Sequence, residues 1–227
     1  MANKVLIINK KALLNNGKVL AVPKAYADYV YLQNQTSFEY ETDEKTIPQY
    51  CFYYSKISKI TAKKATSIGD SAFKYCSSLT SIDLPNATSI RVSAFHSCKS
   101  LTSIDLPQAT SIGSYAFRSC SALTSANLPQ ATSIGDYAFR SCSALTSANL
   151  PKVKAINSQA FYGCTSLKLL DFRNIEAVPT LSSTNAIPTN AGLQIVVPDS
   201  LYDSWCTATN WTSFTSYIVK ESEYTGV

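Results

Sequence analysis

Cys76, Cys98, Cys120, Cys142 and Cys164 stand 22 residues apart, and each closes the same phrase, Ala-Phe-x-x-Cys. A unit of that length is too short to bury its own apolar side. It must stack on its neighbours, so the period dictates a solenoid built around one continuous core. Full repeats occupy 65–86, 87–108, 109–130 and 131–152, and a looser one 153–174. A degenerate copy, one residue short, precedes them over 47–60. A last copy begins at 175–178, dissolves into a loop near 182–191 and resumes as a strand at 193–198.

Two periodicities alternate within each unit. In the first full repeat, Ile82 and Leu84 alternate with polar residues and Pro85 follows, which predicts a short half-buried strand. Ile68, Ala72, Phe73 and Cys76 have helix-like spacing over too few residues for a long helix, which predicts a turn or 3-10 segment. Stacking turns these positions into ladders of isoleucine, phenylalanine and leucine, which are core and carry no ligand role. Coils ~4.8 Å apart set the cysteines side by side with parallel Cβ vectors, an arrangement that rarely satisfies the disulfide dihedral. Buried free thiols packing as small apolar groups are therefore expected. Cys51 and Cys206, in the terminal regions, are open to either state.

The full pattern, Ile-x-x-x-Ala-Phe-x-x-Cys-x-x-Leu-x-x-Ile-x-Leu-Pro over about residues 45–178, resembles the BspA-like class of bacterial leucine-rich repeats. The resemblance implies an α/β repeat solenoid of the leucine-rich-repeat class, with short strands and 3-10 or turn segments. It also implies a non-enzymatic binding scaffold recognising a protein or glycan, often as an adhesin on the surface of a host-associated bacterium. Related repeats occur in phage-encoded structural proteins, which makes a virion or assembly component the alternative, with the N-terminal segment as its attachment.

Composition narrows the partners. The 227 residues are 45% hydrophobic and 15% charged, enough apolar content for a substantial core. The net charge of +5 comes from 20 basic and 15 acidic residues scattered without a dense basic run, so nucleic acid is not an expected partner. No apolar run reaches the ~20 residues that span a bilayer. Near the N-terminus, Val5 to Ile8 is interrupted by Asn9, Lys10 and Lys11 before an export signal forms. The expected location is extracellular or cell-surface if a leader has been removed, and otherwise cytoplasmic or virion-associated.

The ends read differently from the repeats. Within 1–44, Val5 to Asn9 and Lys18 to Val22 are strand-like, separated by 10–17, where Asn15-Asn16-Gly17 signals a turn. Tyr26, Tyr29, Tyr31, Phe38 and Tyr40 follow, and the segment fits a β cap or a small attachment module. The solenoid is assigned to 45–198. In the C-terminal cap, 199–227, Leu201 and Trp205 mark a short amphipathic helix. Trp211, Phe214 and Tyr217 come next, as a lid on the final coil or, alternatively, a carbohydrate-stacking platform.

Chemistry is sparse. His96 is the only histidine and lies two residues before Cys98, but the repeat turns the cysteine to the core and the histidine to solvent. With no converging nucleophile, acid-base pair or metal cluster, neither an enzyme nor a cofactor is expected. Lys74, His96, Arg118 and Arg140 form a basic row, read as a solvated face or a shallow patch for an anionic glycan or polymer. The strand residues flanking the core ladder give two outward rows, Ser81, Ser103, Ser125, Ser147, Leu169 and Asp83, Asp105, Asn127, Asn149, Asp171. The first four of each row, eight residues, are the candidate binding site. Asp83 and Asp105 should repel unless a cation or donor lies between them. Tyr115 and Tyr137 replace serine in the two repeats where Ala126 and Ala148 replace isoleucine, a joint change that either fills vacated volume or records tandem duplication.

Overall fold

The computed structural model describes residues 14–15, 18–19 and 38–226. The coils stack in register, each 22-residue step carrying a residue onto its equivalent in the next coil. Every full coil has two strand segments and one run of turns. On one side, Ile57–Thr61 and Ser81–Asp83 pair in parallel, as do Ser103–Asp105, Ser125–Asn127, Ser147–Asn149 and Leu169–Asp171. On a second side, two-residue strands from Thr46–Ile47 through Ser67–Ile68 and onward to Thr180–Leu181 form a seven-stranded parallel sheet. We call the first side the strand face and the side formed by the turns the turn edge.

The turn edge explains why the segment after Ile68 is not a helix. Two residues per coil adopt left-handed backbone, as Ser71 (φ 54°) and Tyr75 (φ 64°) do in the first full repeat. That conformation costs non-glycine residues roughly 1–2 kcal/mol each. It also aims three N–H groups at the next coil: Ser71 donates to the Val92 carbonyl at 2.8 Å, Phe73 to Ala94 at 2.7 Å and Tyr75 to His96 at 2.8 Å. The same triplet recurs in the following coils, so inter-coil hydrogen bonds offset the backbone cost. Glycine occupies the second left-handed position only at Gly163 (φ 75°).

Between these sides runs the core. Phe52, Phe73, Phe95, Phe117, Phe139 and Phe161 form one stack, with successive ring centroids 5.0–5.3 Å apart. All seven cysteines are free, and the five of the repeat are buried. They do more than pack. Cys98, Cys120, Cys142 and Cys164 each donate from Sγ to the carbonyl of a phenylalanine one coil earlier, at 3.1 Å, and Cys76 does so to Phe52 at 2.8 Å. Threonines add two further ladders, such as Thr124 Oγ1 to the Thr102 carbonyl at 2.9 Å and Thr110 Oγ1 to the Thr88 carbonyl at 3.2 Å.

At the C-terminal end, Gln194–Val197 pairs with Leu169–Asp171, and Ile218–Lys220 then adds beside it. The helix Tyr202–Thr207 and the 3-10 segment Trp211–Tyr217 lay Trp205 and Trp211 beside Phe172 and Phe214 against Trp211, all buried. Trp211 Nε1 donates to the Pro179 carbonyl at 2.7 Å. Both tryptophans are fully covered, so the carbohydrate-stacking alternative fails and the aromatics act as the lid.

Upstream, Phe38–Glu41 runs parallel to Ile57–Thr61, and Lys18–Val19 runs parallel to Phe38–Glu41. The strand-face sheet thus continues before residue 45. Leu14–Asn15, inside the stretch read as a connection, is itself a strand, antiparallel to Lys18–Val19 with Asn15 opposite Lys18. The expected strand at Val5 to Asn9, residues 20–22 of the second strand, and Tyr26, Tyr29 and Tyr31 lie outside the described residues.

Candidate functional site

The strand face is built from three-residue strands whose central residue points inward. Ile104, Ala126 and Ala148 are buried, which leaves the flanking serines and Asp/Asn residues on the outside. Register is direct: Ser125 lies between Ser103 and Ser147, and Asn127 lies between Asp105 and Asn149. Ser81, Ser103, Asp105 and Asn127 are exposed, whereas Asp83, Ser125, Ser147 and Asn149 are half-buried.

Part of the outer row is zipped. Asn127 Nδ2 donates to Asp105 Oδ1 at 2.8 Å, and Asn149 Nδ2 donates to Asn127 Oδ1 at 2.8 Å. Each amide has both a donor and an acceptor, so one chain of bonds fixes three side chains in one orientation. No such donor sits between Asp83 and Asp105 among the described residues. Their strands are not hydrogen-bonded, and the sheet divides there into a five-stranded and a six-stranded part. Ile82 is only partly buried, unlike its equivalent Ile104. The structure therefore brings Ser103, Asp105, Ser125, Asn127, Ser147 and Asn149 into one hydrogen-bonded strip and sets Ser81 and Asp83 across the parting.

The strip ends in a cleft of ≈ 300 Å³ lined by Asn149, Pro151, Asp171, Arg173, Asn174 and Glu221. Arg173 forks onto Asp171, with Nη2 to Oδ2 at 2.6 Å and Nε to Oδ1 at 2.9 Å, and the Tyr224 ring lies 5.5 Å from its guanidinium carbon. Sequence reasoning placed Asn149 and Asp171 in the outward row but missed the rest of this corner. Arg173 sits in the loosest full repeat, and Glu221 and Tyr224 arrive from the C-terminal segment, to which the period does not apply.

The reactive-looking groups are held inactive. Burial pushes the thiols of Cys76, Cys120 and Cys164 up to about 12, so they remain protonated donors. Cys98 is likewise raised and directs its S–H to the Phe73 carbonyl. His96 is half-buried rather than solvent-facing as expected, and its Nδ1 has no partner. Burial, with Lys74 and Arg118 as like charges, lowers its pKa to about 4. Among the described residues no group of three or more His, Cys, Asp or Glu gathers to hold a metal, and no helix is long and apolar enough to cross a membrane.

Tyr115 and Tyr137, introduced where two alanines replace isoleucine, are half-buried and stack on each other at 4.8 Å on the turn edge. Their rings face one another and arginines, and the Tyr137 hydroxyl accepts from Gln159 Nε2 at 3.5 Å, so they act as a surface stack rather than as core filling.

Comparison with known proteins matches this architecture. A leucine-rich repeat protein of T. pallidum is 28% identical, with a TM-score of 0.59 over 67% of this chain and 78% of that one. A leucine-rich repeat protein from Bacteroides ovatus shares the fold at 22% identity and a TM-score of 0.63, over 88% of this chain and 58% of that one. The pneumococcal vaccine antigen PcpA shares it at 13% identity and a TM-score of 0.50, and this chain spans 44% of its length. No match was found among curated proteins. The family model for the BspA type leucine rich repeat region matches residues 45–179 in six copies. With more than half its length in that model and the stacked coils that the model describes, the chain belongs to the BspA-type leucine-rich repeat family.

Proposed function

We propose that the protein is a non-enzymatic recognition scaffold that binds a macromolecular partner, protein or glycan, along its strand face, and that it works at a bacterial surface in the manner of an adhesin. The observation carrying this reading is the zipped row Asp105, Asn127 and Asn149. Its side chains are ordered before any partner arrives, so binding costs little further side-chain entropy. The surface is broad and shallow, with hydroxyls, amides and carboxylates in register at each ~4.8 Å step, and it suits an extended partner better than a small molecule. The cleft beside Arg173 and Glu221 gives the strip a polar end.

The test is the triple variant Asp105→Ala, Asn127→Ala, Asn149→Ala, compared with wild type on glycan and host-protein arrays. Protein and neutral-glycan ligands captured by wild type should be lost, while thermal stability falls only slightly, because two exposed side-chain hydrogen bonds are worth about 0.5–1.5 kcal/mol each at most. Unchanged capture by the triple variant would rule out the strand face.

A further inference from the structure

The four large apolar side chains that stand exposed among the described residues, Tyr50, Tyr54, Val92 and Tyr162, all lie on the turn edge, at 47–52% exposure. On the same edge Lys74, His96, Arg118 and Arg140 follow one another coil by coil, and Tyr162 takes the equivalent place in the next. Among the described residues Lys74, Arg118 and Arg140 form no ion pair. The acidic residues bordering this edge are already engaged. Asp70 accepts from Arg91 and from the Val92 amide, and Asp136 accepts from the Ser158 amide.

The rings and cations are interleaved. The guanidinium carbon of Arg118 lies 5.6 Å from the Tyr115 ring, and that of Arg140 lies 5.4 Å from Tyr137 and 5.1 Å from Tyr162. Tyr115 stacks on Tyr137, and Tyr54 stacks on Tyr75 at 4.4 Å. Aromatic faces are negative and edges positive, and here the faces are turned to cations and to neighbouring rings. Gln159 takes up part of this capacity, accepting from Arg140 Nη1 at 2.7 Å and donating to the Tyr137 hydroxyl at 3.5 Å. What remains for a ligand is ring edges, the other phenol hydroxyls and the remaining guanidinium N–H groups, a surface that favours anions.

Three features narrow the anion. Backbone N–H groups of the left-handed positions are spent on the next coil, so an added peptide strand finds no ladder. The stacked ring faces are closed to nucleobases, which bind single strands by stacking. The coil rise of ~4.8 Å is comparable to the length of one pyranose unit, and five coil steps from Tyr50 to Tyr162 give a strip of roughly 24 Å. We propose that the turn edge is a second binding site, separate from the strand face, for an anionic polysaccharide bearing carboxylate or sulfate groups and lying along the stack of coils.

Calorimetric titration of the whole chain with a heparin oligosaccharide and with an oligogalacturonate tests this and separates sulfate from carboxylate recognition. At least one should bind, with affinity falling as salt rises, while a neutral malto-oligosaccharide of matched length should not. Arg118→Gln with Arg140→Gln should weaken binding about tenfold or more, since charge-assisted contacts are lost. Tyr115→Ser with Tyr137→Ser, which restores the serine that the earlier coils carry at Ser71 and Ser93, should weaken it about threefold or more while the circular dichroism spectrum and melting temperature confirm folding. The strand-face triple variant should bind these saccharides as wild type does, so the two sites fail or stand separately. Absence of binding by both saccharides, unchanged affinity in the arginine variant, or equally tight binding of oligothymidylate or polyglutamate would overturn the proposal.

Discussion

Two junctions between consecutive coils, nearly identical in sequence, behave differently on the strand face. Between 109–130 and 131–152, Ser125, Ala126 and Asn127 pair with Ser147, Ala148 and Asn149, and Thr146 donates to the Thr124 carbonyl from both N and Oγ1. Between 65–86 and 87–108 the corresponding strands belong to separate sheets. The rest of the coil does not register the difference. Phe73 and Phe95 stack at 5.0 Å, Cys98 reaches the Phe73 carbonyl, and Ser67 pairs with Ser89 on the second sheet. The strands differ in the outer row, Asp83 and Asp105 against Asn127 and Asn149, and in the inward residue, Ile82 and Ile104 against Ala126 and Ala148. Like charges directly opposite destabilise a strand pair, whereas an amide supplies the donor a carboxylate lacks. The comparison teaches that the core holds the coils together while the exposed row decides where the strand face closes.

The largest effects test whether the parting stops short of the core. Phe95→Ala and Phe139→Ala should each cost about 3–5 kcal/mol in denaturant unfolding. A far smaller cost for Phe95→Ala would mean that the parting penetrates inward. Next, Cys98→Ala and Cys142→Ala should each cost about 1–2 kcal/mol, through a lost S–H bond and a small cavity. Without denaturant a thiol reagent should label half-buried Cys206 and spare the repeat cysteines equally in both regions; preferential labelling of Cys98 would break the symmetry. A smaller effect, of opposite sign, should follow Asp83→Asn: about 0.5–1 kcal/mol of stabilisation as the new amide bridges to Asp105, with Asn127→Asp losing a similar amount.

A further test is a pH dependence in the coil that follows the parting. The His96 imidazole takes a proton near 6.5 when unfolded but only at about 4 when folded. The unfolded chain therefore binds more protons in that window, and stability should decline as pH falls through it. His96→Gln should remove that part of the slope in thermal melts across the range, and an unaltered slope would assign it to other groups.

The period made most of the fold legible, because identical residues in identical register leave little choice of which side chains stack. It also fixed the two outward rows and the Asp83–Asp105 conflict. Other features were silent in the sequence. The left-handed positions are filled by Ser, Tyr and Gln, with glycine only at Gly163, so the usual marker of positive φ is missing from the earlier coils. The cysteines read as small apolar groups because an S–H bond to a carbonyl one coil away leaves no trace in spacing. Lys74, His96, Arg118 and Arg140 read as a solvated face or a shallow anion patch, and the spacing did not choose between them because Tyr115 and Tyr137, which face the arginines, come from another position of the coil. Arg173 and Glu221 meet only through the C-terminal return of the chain.

Native-state hydrogen exchange at the strand-face amides addresses the central claim most directly. The amides of Thr124, Thr146, Leu106 and Leu128, each bonded to a neighbouring coil, should exchange slowly, while those of Leu84 and Thr102, on either side of the parting, should exchange much faster. Equal protection of all six would show a closed, continuous sheet and contradict the account.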